Sequence, residues 1–350
     1  MSQRPFRVLT IDGGGMRGLY TVALLRGLLT IFRQEHFDLG KQFDLICGTS
    51  TGAIIGSGLA AGVSLDQMQA LFSEEGPAIF VDPIPSGLGL LPWVVRHLRR
   101  PSADQAALFS ALSRVLGQRT FGSLWEERGI ALYVTSTDLA SCSPRVFKTP
   151  HDPDRTLDRV ILLVDACVAS SAAPIIFPVA KAKSPQNPKS EWSMADGGLW
   201  ANNPVIVGIT AALEIAEVGR AIEVVSVGTC LPPGGQVISR ERAGRGLSQW
   251  LFGIKALDTS LDVSSEGAHH AATFLAKSLK KRNIDLGVYR LPQSRLSGEQ
   301  AALIGLDQSS PQSLRVLLQC AETDAMRAHK EHFDAVASGG TILGRILGGR

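Results

Sequence analysis

The sequence predicts an α/β fold built on a mainly parallel sheet with helices on both faces. Three observations carry this: an opening unit of strand, glycine-rich turn and helix, a second unit of the same kind about forty residues on, and a further buried strand late in the chain. Strands that alternate with helices cannot pair as hairpins, so they pair through crossovers.

In order, Phe6 to Ile11 is a short run of β-formers closed by Asp12 and three glycines, and Leu19 to Ile31 has helical apolar spacing. Phe43 to Cys47 reads as a buried strand, Gly48 to Gly52 as a turn, and Ala53 to Ala61 as a small-residue helix. Ser64-Leu-Asp-Gln67 has the form of a capping box opening another helix, and Ser102-Ala-Asp-Gln105 repeats it. The stretch from about Pro83 to Pro101 holds too many breakers for regular structure, is strongly apolar and ends basic. It is expected to be an insertion or lid. Ile130 to Thr137 is expected as a strand, Leu157 to Ser170 as a helix, Trp192 to Met194 as a short strand, Pro204 to Val218 as a helix and Ile222 to Val227 as a strand. After Pro232-Pro-Gly-Gly235 the chain should be helical through about Lys281, with a strand at Ile284 to Leu291 and a helix near Leu314 to Ala335. Gly339 to Arg350 is expected to be loose. The division this suggests is 1–230 as the chemistry-bearing part and 231–350 as a mostly helical part packed on the same domain.

Composition narrows the function. The 350 residues hold 35 Lys+Arg against 32 Asp+Glu, a net charge of +3 that is too balanced for an electrostatic binder of nucleic-acid polymers. With 45% hydrophobic and 19% charged residues the chain is neither disordered nor low-complexity. Five cysteines, Cys47, Cys142, Cys167, Cys230 and Cys320, lack metal-type spacing and fit a reducing compartment; no metal or cofactor is expected. No secretory signal core opens the chain, and the most apolar stretch, Val160 to Ala180, contains Asp165, two serines and two prolines. A cytoplasmic protein is expected. Glycine is over-used, at 36 residues, which is about 10% against about 7% in average usage.

Eight of those glycines fall in three motifs. Gly48-Thr-Ser-Thr-Gly52 matches G-x-S-x-G between a strand and a helix, where a sharp turn exposes the serine at a helix N-terminus. The pentapeptide alone reads equally as a serine–glycine turn, and its context favours Ser50 as a nucleophile. Asp12-Gly13-Gly14-Gly15-Met16-Arg17-Gly18 can aim several backbone N–H groups at one point. With no Gly-Lys-Ser/Thr it is not a P-loop, and beside a nucleophile elbow an oxyanion hole is favoured over a phosphate cradle or a plain packing turn. For a base, none of the seven histidines lies in a motif-like strand end; His36 and His97 are expected at the surface and His269-His270 on a helix. Asp196, in Asp196-Gly197-Gly198 ahead of Asn202-Asn203-Pro204, is the better candidate, provided burial raises its pKa. Alone it would be an ordinary Asp-Gly turn.

Together these motifs, with Ser170-Ser-Ala-Ala-Pro174 and Phe177-Pro178, resemble the patatin-like phospholipase family over about Arg7 to Thr229. The resemblance implies a three-layer α/β/α fold and a Ser–Asp dyad without histidine. Carried over by residue, it makes Ser50 the nucleophile, Asp196 the base, and Gly13, Gly14 and Gly15 the oxyanion donors, with Arg17, Gly48, Gly52, Gly197 and Gly198 in support. Thr229-Cys230 departs from the glycine-ended segment common in the family, with no expected effect on chemistry. The form Gly15-Met-Arg-Gly-Leu-Tyr20 looks most like the bacterial effectors of CBASS antiphage systems, which a cyclic nucleotide switches on and which degrade membrane lipid; no residue marks a nucleotide site. The implied reaction is phospholipid acyl hydrolysis through an acyl-enzyme, at the inner membrane surface. A transacylase or soluble-ester hydrolase shares that chemistry, a non-catalytic regulatory member is the alternative of another class, and a homo-oligomer stays open. In the lid, Leu90, Leu91, Trp93, Val94 and Val95 are candidates to enter the lipid boundary and Arg96, Arg99 and Arg100 to meet anionic lipid; packing on the core with solvated arginines is the equal alternative.

Overall fold

The computed structural model describes residues 4–85, 89–152, 154, 156–183, 191–230, 238–239, 243–244, 246, 250 and 253–348. Eight strands form one sheet: β1 (Phe6–Ile11), β2 (Leu45–Thr49), β3 (Ala131–Asp138), β4 (Ser143–Lys148), β5 (Ala180–Lys183), β6 (Glu191–Asp196), β7 (Ile222–Val227) and β8 (Leu286–Arg290). The order is β5-β6-β3-β2-β1-β7-β8, with β4 also on β3. The run β3-β2-β1-β7-β8 is parallel, as expected. The antiparallel edge made by β4, β5 and β6 was not foreseen, and it matters because it delivers Asp196.

The principal helices are α1 (Gly18–Ile31), α2 (Thr51–Ala61), α3 (Leu65–Ala70), α4 (Leu90–His97), α5 (Gln105–Leu116), α6 (Leu163–Ser170), α7 (Val205–Ile215), α8 (Ile254–Lys280), α9 (Pro311–Asp334) and α10 (Ile342–Leu347). Alternate residues of the central strands serve opposite faces. Leu9, Ile46 and Val225 pack under α1, α2, α5, α6 and α9, whereas Val8, Leu45 and Val224 pack under α7 and α8. That is the three-layer arrangement.

Four expectations need correction. The helix ending at Ser170 begins at Leu163 rather than Leu157. The carbonyls of Arg159 and Ile161 accept from Gly122 and Phe121, so tertiary bonds take groups a helix would need. Ser102 caps nothing, since Asp104 accepts from the N–H groups of Ala106 and Ala107 and is the N-cap of α5. The stretch expected as an insertion or lid contains regular structure in its described part, residues 86–88 lying outside it: α4 accommodates Pro92 in its first turn, where the missing N–H is not required. The C-terminal stretch is helical over Ile342–Leu347, with Thr341 capping α10 and Leu343, Ile346 and Leu347 buried; residues 349–350 lie outside the described residues. The helix expected after Pro232 lies partly outside the described residues; α8 begins at Ile254.

Candidate active site

Ser50 sits between β2 and α2 at φ 54°, ψ −123°, backbone geometry that a side chain adopts only under strain. The flanking glycines allow the turn. A Cβ on Gly48 would lie 2.2 Å from the Gly52 carbonyl oxygen, and one on Gly52 would lie 2.2 Å from that of Ile11. The Ser50 N–H donates to Ser170 Oγ at 2.8 Å, which gives the Ser170-Ser-Ala-Ala-Pro174 segment a holding role.

Asp196 ends β6, whose antiparallel pairing sets it opposite Ser136 on β3. Its N–H donates to the Ala172 carbonyl at 3.0 Å. Its Oδ1 accepts from the Gly198 N–H at 2.6 Å. Gly197 presses on β3, where a Cβ would fall 2.3 Å from Thr135 Oγ1. Ser50 and Asp196 are both buried, at 8% and 7% exposure, and face the same cleft. Burial pushes the Asp196 carboxyl up to about 6, opposed by hydrogen bonds from the Gly198 N–H and the Ser50 hydroxyl. Among the described residues lining this cleft there is no histidine.

The glycine loop separates into bonded and free donors. Asp12 N–H donates to the Val227 carbonyl, Gly13 N–H to that of Asn202 at 2.8 Å, Met16 N–H to that of Leu306 at 2.8 Å and Arg17 N–H to that of Gly14. Gly14 and Gly15 N–H have no acceptor among the described residues. Of the three glycines expected as donors, Gly13 is therefore already engaged. Gly15 has φ 56°, and a Cβ there would lie 2.0 Å from the Leu306 carbonyl oxygen. Thr229, expected to be without consequence, donates from Oγ1 to the Gly13 carbonyl at 3.0 Å and abuts Gly14. Arg17 is buried, donates from Nε to the Gly14 carbonyl and faces Asp258 and Asp262 of α8.

Sequence reading did not find the residues that anchor this loop from a distance. Arg290 on β8 grips Asp12 with a two-pronged ion pair, Nη1 to Oδ1 at 3.1 Å and Nη2 to Oδ2 at 2.5 Å, and Nη1 also donates to Ser226 Oγ. Asp12 is 1% exposed; burial pushes its carboxyl up and Arg290 opposes that. Asn202 and Asn203 donate to Ser265 Oγ and to its carbonyl, tying α8 to the site. The only forward signal for any of these contacts was the Asp12 and Asn-Asn positions within their motifs.

The cleft is overwhelmingly apolar. Ile54, Leu71, Phe72 and Phe177 wall one side, and Leu257 and Leu261 of α8 close the other. Leu71 and Phe72 reach it from a π-helical turn, Leu71–Glu75. Among the described residues no group of three or more His, Cys, Asp or Glu is placed to hold a metal ion. None of their helices is long and apolar enough to cross a membrane.

Comparison with known proteins completes the picture. The patatin-like phospholipase family matches residues 9–209. The cGAMP-activated phospholipase of Escherichia coli strain TW11681 is 28% identical over 326 residues, covering 89% of this chain and 86% of that protein. The cGAMP-activated phospholipase of Pseudomonas aeruginosa strain BWHPSA011 / Pa011 is 31% identical over 263 residues, with 74% and 73% covered. A cUMP-AMP-activated phospholipase of Escherichia coli is 27% identical over 280 residues, covering 78% of each chain.

Proposed function

We propose the reaction from a premise that these matches establish: the chain belongs to the patatin-like phospholipase family. Its function in this reading is to release ester-linked fatty acids from membrane phospholipids. The observation that carries it is one apolar cleft holding a strained serine, a buried carboxylate and two unengaged N–H groups.

Ser50 Oγ attacks the ester carbonyl carbon while Asp196 takes its proton. The carbonyl oxygen becomes an oxyanion facing the Gly14 and Gly15 N–H groups, which have no other acceptor among the described residues. As the tetrahedral intermediate collapses, the lysophospholipid leaves with the proton from Asp196. Water then adds to the acyl-enzyme with Asp196 as base; the second tetrahedral intermediate collapses by breaking the bond to Ser50 Oγ, which takes that proton back from Asp196, and the free fatty acid departs. A carboxyl held near 6 is mostly ionised at neutral pH yet more basic than an ordinary aspartate, which suits both proton transfers. The apolar cleft accepts the acyl chain and excludes water from the first step.

The relatives' names extend the reading to control, with a cyclic dinucleotide as activator, and the resemblance to CBASS effectors adds action at the inner membrane surface in antiphage defence. The test is fatty-acid release from mixed phospholipid vesicles by the purified chain, with and without cyclic GMP–AMP, beside Ser50→Ala. A fall of about 10⁴-fold or more in Ser50→Ala is expected. Equal release by both proteins would sink the reading, and transfer of the acyl group to an acceptor lipid instead of water would redirect it to a transacylase.

A further inference from the structure

The helix α4 carries two apolar faces, and among the described residues only one is packed. Leu90 and Trp93 are buried, at 8% and 3% exposure, in a small cluster with Ile84, Val94 and Ile254 of α8. Trp93 Nε1 donates to the Asp82 carbonyl at 3.0 Å, and His97, held against the Trp93 ring, bonds Asp82 Oδ2 at 2.8 Å. Leu90 and Trp93 face inward and follow the core-packing alternative of the two held for this helix. On the outer side, Leu91, Val95 and Leu98 are 60%, 68% and 75% exposed. They stand at i, i+4 and i+7, so they form one stripe.

We infer that this outer stripe of α4 is the surface through which the protein seats on an anionic lipid bilayer, an inference that rests on the phospholipid substrate proposed above. Charge selects the occupant. From Pro83 to Ala103 the sequence contains no Asp or Glu, while Arg96, Arg99 and Arg100 flank the stripe and are exposed. The adjoining carboxylate of Asp82 is already paired with Arg96 at 2.6 Å and hydrogen-bonded to His97. A second copy of the chain on a two-fold axis would bring that arginine cluster against itself, whereas anionic headgroups compensate it and the acyl boundary takes the leucines and valine. Position supports the same occupant. The Ser50 cleft shares Pro174, Ile176, Leu257 and Leu306 with a neighbouring cavity lined by Ile84 and Ile254, the pair on which Leu90 and Trp93 pack. The helix that presents the stripe is thus seated, through its inner face, on a cavity that adjoins the site, where Ile175 is 42% exposed.

Binding is read separately from catalysis by using the full chain carrying Ser50→Ala in sedimentation with vesicles of phosphatidylcholine, alone or mixed with phosphatidylglycerol. Leu91→Glu with Val95→Glu should weaken binding to the mixed vesicles tenfold or more. Arg99→Gln with Arg100→Gln should weaken it roughly tenfold at low salt, with the difference closing as salt rises. In the parent carrying Ser50, the same pairs should leave hydrolysis of a water-soluble short-chain ester unchanged, which also shows that they fold. Unchanged vesicle binding in the Leu91 and Val95 variant overturns the docking face, as does a change in its oligomeric state by light scattering with vesicle binding intact. Loss of binding with no Ser50-dependent hydrolysis of either substrate overturns the reaction and keeps the face.

Discussion

The region from Phe6 to Thr229 and the region from Gly253 to Gly348 build the same site by different means. The first supplies Ser50, Asp196 and the glycine loop, whose chemistry restricts residue type: a hydroxyl at positive φ, a buried carboxylate, backbone without Cβ. The second supplies a carbonyl from Leu306, a guanidinium from Arg290, two leucines from α8 and the Ser265 anchor. Almost any residue offers a carbonyl, and leucine is common everywhere. The difference teaches that the proposed reacting groups are written locally, whereas the loop beside them is held by contacts nearly 300 residues away.

The largest effect that sharpens this contrast belongs to Asp196→Asn. Loss of the base should lower kcat by roughly 10³-fold or more. The same change should stabilise the fold, and the sign follows from the raised pKa. A carboxyl held near 6 in the folded state binds a proton there more readily than in the unfolded chain, so folding gains stability as pH falls through about 6. At pH 7 the buried charge costs on the order of 1–3 kcal/mol that the amide avoids. Thermal unfolding at pH 7 and at pH 4 checks it: the variant should melt higher at pH 7, with the advantage lost at pH 4. A lower melting temperature at pH 7 would contradict the burial argument.

Next comes Arg290→Gln, which asks whether the distant region only scaffolds the site. If the grip on Asp12 positions the loop, kcat should drop about 10- to 100-fold with KM nearly unchanged, because oxyanion donors act in the transition state. Arg290→Lys should recover part of it. A variant that is merely less stable, with full kcat well below its melting temperature, would reduce the second region to scaffold. Smallest is the pH profile, where kcat/KM should rise about tenfold per unit from acid and level off above about 6. An acid limb near 4 would mean that Asp196 titrates as if exposed.

Much of this was legible in the sequence. β1 and β7 match their expected limits, because central strands of a parallel sheet are continuous apolar runs bounded by breakers. The capping box at Ser64 is present because it needs only four adjacent residues. What escaped was settled elsewhere in the chain. Arg159 and Ile161 look helical until Gly122 and Phe121 claim their carbonyls. Asp12 reads as a turn residue until β8 pairs with β7 and brings Arg290 across it. Gly13 is indistinguishable from Gly14 until the Asn202 carbonyl engages one and not the other.

The bond from Met16 N–H to the Leu306 carbonyl has a further consequence, in time rather than space. A ribosome has finished the serine, the aspartate and the glycine loop more than a hundred residues before it reaches Leu306. Until that carbonyl and Arg290 emerge, the nascent chain carries the loop without the two contacts that hold it. A chain interrupted before Arg290 should therefore keep the reacting residues and work well below the rate of the finished protein.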